Sequence, residues 1–292
     1  MPWLQLEIET SPQMADMYSE YLSQAGASAV TLQDAADQPL FEPAVGETPL
    51  WRNTRVIGLF DVATDIDNVM HQIKSHLDPN DIPSLYVNPL EDRDWVRAWM
   101  DNFKPMQFGK QLWVCPSGYT PPDAKAVNLI LDPGLAFGTG THPTTAMCLS
   151  WLANHPPKNL EVMDYGCGSG VLAIAACLLG AKNTMAVDND PQALTATHEN
   201  AIKNSVANKI ETYLPEQLPT KPVPLLMANI LATPLIELES LFEKLVISGG
   251  TIVLSGILVE QASLVQKSYA THFNLQIHEQ LEDWVCITGR KH

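Results

Sequence analysis

Three glycines at alternate positions stand between a short apolar run and a helix-forming run. Gly166, Gly168 and Gly170 follow the largely apolar residues 160–163 and precede the helix-forming residues 171–179. This order predicts a strand, a glycine loop and a helix, which together form the usual ligand site of an open α/β sheet. Glycine lets the backbone turn sharply and lets a ligand approach more closely than a Cβ would permit. A tight turn that binds no ligand is the alternative.

The spacing of these glycines favours one kind of nucleotide site over another. A dinucleotide-binding loop has the pattern G-x-G-x-x-G, whereas this loop has glycines at every second position and Asp164 two residues before the first. Loops of this second kind resemble motif I of S-adenosylmethionine-dependent methyltransferases. A nicotinamide oxidoreductase, which shares the fold, stays open as an alternative.

A carboxylate follows the glycine loop at the sequence spacing that is typical of ribose recognition. Asp188 ends the predicted strand 184–188, eighteen residues after Gly170. In doubly wound folds, an acid about 20 residues beyond the loop binds the ribose hydroxyls. Asp190 precedes Pro191 and is expected to begin the next helix instead. We therefore predict that Asp188 binds a ribose.

The segment 131–145 is rich in glycine and polar residues. Phe137 lies between glycines and is placed to close over an adenine or a methionine moiety. Thr144 and Thr145 can cap the helix that follows. His142 is a candidate base, but a histidine before a proline in a turn is more often structural.

Asn229 places a neutral amide at the end of the predicted strand 225–229. In methyltransferases with an Asn/Asp-Pro-Pro-Tyr motif, the equivalent residue orients a nucleophilic nitrogen through its amide oxygen. Here Ile230 and Leu231 follow, and no aromatic side chain is present to hold a planar base. This difference favours a flexible aliphatic amine such as lysine.

The charge of the chain is strongly negative and unevenly distributed. Residues 1–90 hold three basic and thirteen acidic residues, a net charge of −10, so the other 202 residues carry −6 of the total of −16. Such a field disfavours direct nucleic-acid binding and favours a basic protein substrate. The acidity would equally serve solubility alone. Five scattered cysteines and the absence of an N-terminal signal or membrane-spanning run lead us to expect a cytoplasmic protein.

The order of predicted elements divides the chain into three parts. Residues 1–90 have the strand and helix order of a ferredoxin-like α+β domain. Residues 91–110 are expected to form a helical linker with an aromatic face of Trp95, Trp99 and Phe103. Residues 111–292 alternate strands and helices and end in a hairpin, as expected for an α/β doubly wound domain with a largely parallel sheet.

Taken together, these motifs resemble the bacterial ribosomal protein L-eleven methyltransferase family over the whole chain. The motifs are Gly-Thr-Gly-Thr-His-Pro-Thr-Thr at 138–145, Asp-Tyr-Gly-Cys-Gly-Ser-Gly at 164–170, Ala-Asn-Ile-Leu-Ala at 228–232, Phe-Lys-Pro at 103–105 and Leu-Ser-Gly-Ile-Leu at 254–258. One departure is Lys-Pro-Val-Pro at 221–224, where the family often has an acid before the strand.

The resemblance implies an S-adenosylmethionine-dependent protein-lysine N-methyltransferase. Its cofactor site would comprise Phe137, Thr145, Gly166, Gly168, Asp188 and Asn229, and the catalytic residue would be Asn229, with no metal. The N-terminal domain would hold the substrate, ribosomal large-subunit protein eleven, whose lysines and N-terminal amine the family trimethylates. We expect a monomer that acts on the free substrate, with no direct nucleic acid and no membrane. A non-catalytic ribosome-assembly binder and an rRNA methyltransferase are the remaining alternatives.

Overall fold

A computed structural model describes residues 3–36, 38, 49–77, 83–90, 104–132 and 140–292. The chain divides into two compact units, Met1–Trp95 and Val96–His292. Within the described residues, no helix is both long and apolar enough to cross a membrane.

The first unit is a four-stranded antiparallel sheet with two helices. Its elements in chain order are β1 (Trp3–Thr10), α1 (Pro12–Gln24), β2 (Ala29–Asp34), β3 (Thr54–Asp61), α2 (Ile66–Ser75) and β4 (Leu85–Leu90). The sheet order is β2-β3-β1-β4. Strand β2 alternates between exposed and half-buried residues, because successive side chains of a strand face opposite sides of the sheet. Leu6 and Ile8 of β1 pack with Leu22 of α1 and Ile73 of α2 in one core, so both helices cover the same face.

The second unit begins with a small three-stranded sheet. It contains β5 (Met106–Phe108), β6 (Leu112–Cys115) and β7 (Val127–Ile130), in the order β5-β6-β7. The prediction of a helical linker through residue 110 is therefore wrong for its last residues. Phe108 is buried and pairs with Leu112, an antiparallel contact that a helix at this position would not make. The aromatic residues Trp95, Trp99 and Phe103 lie outside the described residues.

A seven-stranded sheet forms the centre of the second unit. Its strands and helices in chain order are α3 (Pro143–Asn154), β8 (Glu161–Tyr165), α4 (Val171–Leu178), β9 (Asn183–Val187), α5 (Pro191–Lys203), β10 (Ile210–Tyr213), β11 (Val223–Asn229), α6 (Ala232–Glu237), α7 (Glu239–Leu245), β12 (Val246–Leu258), α8 (Ala262–Tyr269), β13 (Phe273–Leu281) and β14 (Trp284–Lys291). The sheet order is β10-β9-β8-β11-β12-β14-β13. Strands β8 to β12 run parallel, whereas β14 is antiparallel to both of its neighbours. The predicted alternation of strands and helices is confirmed, although the short strand β10 was not predicted.

Helices cover both faces of this sheet. On one face, α3, α4 and α5 pack against side chains such as Val162 and Met227. On the other, α6, α7 and α8 pack against the alternate side chains, including Met163 and Leu226. The strands are apolar on both faces because both are buried, as is usual for parallel sheets.

The strand order reverses between β8 and β11. From β8 the chain moves outward through β9 to β10, and it then returns to place β11 on the other side of β8. The carboxyl ends of strands flanking such a reversal form a crevice, which is where ligands bind in open α/β sheets. The glycine loop follows β8 and Asn229 ends β11, so both lie at this crevice.

Candidate functional site

The glycine loop turns directly off the end of β8 against the end of β9. The backbone N–H groups of Gly166 and Cys167 both donate to the carbonyl of Val187, at 2.7 and 3.0 Å. Gly166 has φ +80°, and a Cβ added there would lie 2.2 Å from Cγ2 of Ile230. Only glycine satisfies both the left-handed backbone and the close contact.

Asp188 lies at the first residue after β9 and contacts the glycine loop. Its Oδ2 accepts a hydrogen bond of 2.9 Å from the N–H of Gly168, and its Oδ1 accepts one of 3.0 Å from the N–H of Asp190. The side chain is half-buried. Each carboxylate oxygen has a second lone pair, so this fixed carboxylate retains acceptors for two hydroxyl groups of a ligand.

Helix α5 braces the loop from the side. The Thr197 hydroxyl donates to the carbonyl of Gly168 at 3.1 Å, and Nδ2 of Asn200 donates to the carbonyl of Ser169 at 2.9 Å. Both side chains are buried. The helix itself begins at Asp190, whose carboxylate accepts from the N–H of Gln192, so the predicted start of this helix is confirmed.

Asp164 is a buried carboxylate beneath the loop. Its Oδ2 accepts from the N–H of Ala173 in α4 at 3.0 Å, whereas its Oδ1 is buried without a hydrogen-bond partner. The pKa of Asp164 is raised to about 7, chiefly by burial; the hydrogen bond from Ala173 opposes this increase, and the charge of Asp188 adds to it. The cause is the cost of holding a charge in a low-dielectric interior.

Asn229 joins the end of β11 to the first turn of α3. Its Nδ2 donates to the hydroxyl of Thr145 at 3.1 Å. One strand further along, the buried Ser255 hydroxyl donates to the carbonyl of Thr144 at 3.1 Å. Because Nδ2 makes this contact, the orientation of the amide is set, and its oxygen is the group that can accept a hydrogen bond from a ligand.

His142 begins α3 and acts as a structural cap. Its Nδ1 accepts from the N–H of Thr144 and lies 2.8 Å from the Thr144 hydroxyl. Burial lowers the pKa of His142, opposed by the charge of Glu282, and its ring lies edge-on to Trp284. The expectation that Thr144 and Thr145 cap this helix is wrong, because both follow the cap as buried residues of the first turn.

The structure brings together most of the predicted site residues at one edge of the sheet. The contacts described above involve Gly166, Gly168, Asp188, Asn229 and Thr145. Phe137 lies outside the described residues. Three further residues support the site and were not predicted: Thr197, Asn200 and Ser255. The spacing of Thr197 and Asn200 places them on one helix face, but nothing in the sequence indicates that this face meets the loop.

Comparison with known proteins identifies the family. The model of the family described as "Ribosomal protein L11 methyltransferase (PrmA)" matches residues 2–292. The chain belongs to this family. It is 50% identical over 291 residues to the ribosomal protein L11 methyltransferase of Nitrosococcus oceani, with 100% of both chains covered. It is 49% identical over 292 residues to that of Shewanella baltica, again with 100% of both covered.

A solved structure of the L11 methyltransferase family has the same fold over the larger part of the chain. The ribosomal protein L11 methylase of Lactobacillus delbrueckii subsp. bulgaricus superposes with a TM-score of 0.59 at 30% identity. The alignment covers 65% of this chain and 100% of that one. The mixed α/β fold of this part of the chain is therefore also found in that L11 methylase.

Proposed function

We propose that this protein transfers methyl groups from S-adenosylmethionine to lysine side chains, and to the N-terminal amine, of ribosomal protein L11. The observation that carries the proposal is that Asp188 and Asn229 lie at strand ends of one crevice, in a chain that matches the L11 methyltransferase family over residues 2–292. Asp188 provides recognition of a ribose, and Asn229 provides recognition of a nitrogen nucleophile.

The residues at the crevice fit S-adenosylmethionine. The carboxylate of Asp188 is oriented by Gly168 and has acceptors for both ribose hydroxyls. Gly166 and Gly168 allow close approach of the ligand, and Asn229 and Thr145 would line its methionine end. Phe137 would complete the site as an aromatic cover. When bound, the cofactor supplies the methyl group on its sulfonium.

The residues of the chain would act by aligning and desolvating the amine. A free lysine titrates near pH 10.4, so a dry channel must favour its neutral form. The oxygen of Asn229 would accept one N–H of this amine and direct the nitrogen lone pair toward the methyl carbon. Alignment of this kind supplies about 7–11 kcal/mol at most in well-oriented reactions. The released proton would leave through water.

We propose that the first unit, residues 1–90, is a ferredoxin-like domain that recognises the substrate. The strand order β2-β3-β1-β4 and the packing of both helices on one face support this assignment. The net charge of −10 supports a basic protein partner over nucleic acid. We further propose that residues 91–105 connect the domains, and that the protein acts as a monomer, in the cytoplasm, on L11 that is free of the ribosome.

One experiment tests the reaction and the site together. Purified L11 is incubated with the protein and methyl-labelled S-adenosylmethionine, and the modified peptides are identified by mass spectrometry. Asp188→Ala should weaken cofactor binding, measured by titration calorimetry, whereas Asn229→Ala should mainly lower kcat. Wild-type rates in both variants would refute the site. Tight NAD binding without binding of S-adenosylmethionine would refute the reaction.

A further inference from the structure

Ile230, the residue after Asn229, lies between two glycines of the neighbouring strands. Strand β11 lies between β8 and β12, and its pairing ends at Ala228 with Tyr165 and at Asn229 with Ser255. The next residues on those two strands are Gly166 and Gly256. These two glycines and Ile230 form what we call the Ile230 clamp.

The contacts of Ile230 are so close that neither Gly166 nor Gly256 could carry a side chain without a clash. A Cβ on Gly166 would lie 2.2 Å from Cγ2 of Ile230, and a Cβ on Gly256 would lie 2.3 Å from its carbonyl oxygen. Gly166 therefore contacts the side chain of Ile230, while Gly256 contacts its backbone. Gly256 also has φ +83°, a conformation that costs a side-chain-bearing residue about 1–3 kcal/mol.

The backbone of Ile230 restricts that of Asn229, because the two residues share a peptide bond. The only described hydrogen bond of the Asn229 side chain is the one to Thr145. The adjacent residue of α3, Thr144, is held by the hydroxyl of Ser255, which precedes Gly256. Residues 255–256 of β12 thus contact both the backbone next to Asn229 and the helix turn that its amide contacts.

We propose that Gly256 is a positioning residue that holds the amide of Asn229 in its productive direction through the backbone of Ile230. Gly256 does not itself contact the amine. This inference rests on the proposed function, since the role of Asn229 in orienting the amine belongs to it. Displacing a reacting group by about 1 Å can cost about 100-fold in rate, and a Cβ at Gly256 would force a shift of that order.

The test compares Gly256→Ala with Gly249→Ala. Both glycines belong to β12 and have left-handed backbones, but a Cβ on Gly249 meets nothing within 4 Å. We expect Gly256→Ala to lower kcat for L11 methylation by about 100-fold while KM for L11 changes by no more than about threefold. Gly249→Ala should leave both values at the wild-type level. An unchanged kcat in Gly256→Ala would overturn the proposal, and so would an equal loss in Gly249→Ala.

A second measurement reads the position of the amide without any reaction. In protein labelled with ¹⁵N at asparagine, the side-chain NH₂ signal of Asn229 is identified by its loss in Asn229→Asp. Gly256→Ala should move this signal and speed its exchange with water in the ligand-free protein, while Gly249→Ala should not. A signal that stays in place in Gly256→Ala would overturn the proposal whatever the rates are.

A third variant covers the case in which Gly256→Ala lacks a cooperative thermal transition. Ile230→Gly makes the backbone that Gly256 contacts more flexible, without adding a steric clash at Gly256. The same loss of kcat at unchanged KM is expected, and a retained kcat would overturn the proposal. If the wild-type protein does not methylate L11, the proposed function fails; if it does and these variants match it, only the role of Gly256 fails.

Discussion

Nδ2 of Asn229 lies 3.1 Å from the hydroxyl of Thr145, to which it donates a hydrogen bond. This contact joins the end of β11 to the first turn of α3, between two residues that are 84 positions apart in the sequence. It uses an N–H of the amide, and in the proposed reaction the oxygen accepts from the substrate amine. Thr145 therefore orients the amide of Asn229, which we propose orients the substrate amine.

Removing the Thr145 hydroxyl should lower the rate of methyl transfer more than it affects substrate binding. We expect Thr145→Ala to reduce kcat by about tenfold or more, because the amide of Asn229 then loses its fixed direction. Thr145→Ser keeps the hydroxyl and should remain close to wild type. Steady-state kinetics on L11 measure both, and equal losses in the two variants would contradict the assignment.

Asp164 should make the protein less stable as the pH rises toward neutrality. Its pKa is raised from 3.8 to about 7 in the folded state, so the native protein holds this proton more tightly than the unfolded chain. The stabilisation is complete below about pH 4 and is lost as the pH rises toward 7. Asp164→Asn should therefore melt several degrees above wild type at pH 8, with a smaller difference at pH 5.

The control for this prediction is Asp283→Asn, at an exposed carboxylate of the hairpin between β13 and β14. Thermal unfolding followed by circular dichroism at both pH values is sufficient. A difference between Asp164→Asn and wild type that is constant with pH would show that Asp164 does not titrate as described.

The sequence predicts the residues that line the site better than it predicts the residues that hold them in place, such as Thr197 and Ser255. Gly166 and Asp188 each follow a buried strand and Asn229 ends one. The carboxyl ends of parallel strands lie at one edge of the sheet, so the proximity of these residues follows from their order in the sequence. The contacts of Thr197 and of Ser255 depend on how α5 and β12 are placed in three dimensions, which periodicity does not encode. Strand β10 was not predicted because a strand of four residues at the edge of a sheet is too short to show a clear hydrophobic periodicity.

His142 should destabilise the protein in acid. Burial lowers its pKa below the ordinary value of 6.5, so the unfolded chain binds a proton before the folded one does. The stability is therefore present above pH 6.5 and is lost as the pH falls through the lowered pKa. His142→Asn retains a capping side chain for the N–H of Thr144, and we expect it to match wild type at pH 8 and to exceed it at pH 5.5.

The companion variant His142→Ala separates capping from titration. It should lose about 1 kcal/mol of stability at pH 8, the usual contribution of an N-cap. Urea unfolding at the two pH values measures both effects. If His142→Asn loses stability in acid as steeply as wild type, the titrating group lies elsewhere.

The acidic first unit should accelerate binding of L11 in a salt-dependent way. Attraction between opposite charges weakens as the ionic strength rises, so the association rate should fall with added salt. We expect Asp16→Asn with Asp67→Asn to slow association, since both carboxylates are exposed on the first unit. Glu216→Gln with Glu260→Gln, exposed on the second unit, is the matched control. Association rates are measured by stopped flow. Rates that do not change with salt would show that the acidic charge does not accelerate L11 binding.

The hydrogen bonds from α5 to the glycine loop affect the entropy of ligand binding. Thr197 and Asn200 hold the carbonyls of Gly168 and Ser169 through buried hydrogen bonds, so the loop takes its shape when the domain folds. The entropy of ordering it is lost at that stage and not at each encounter. This side of the crevice is thus preorganised, and the binding free energy of a ligand need not be spent on ordering it.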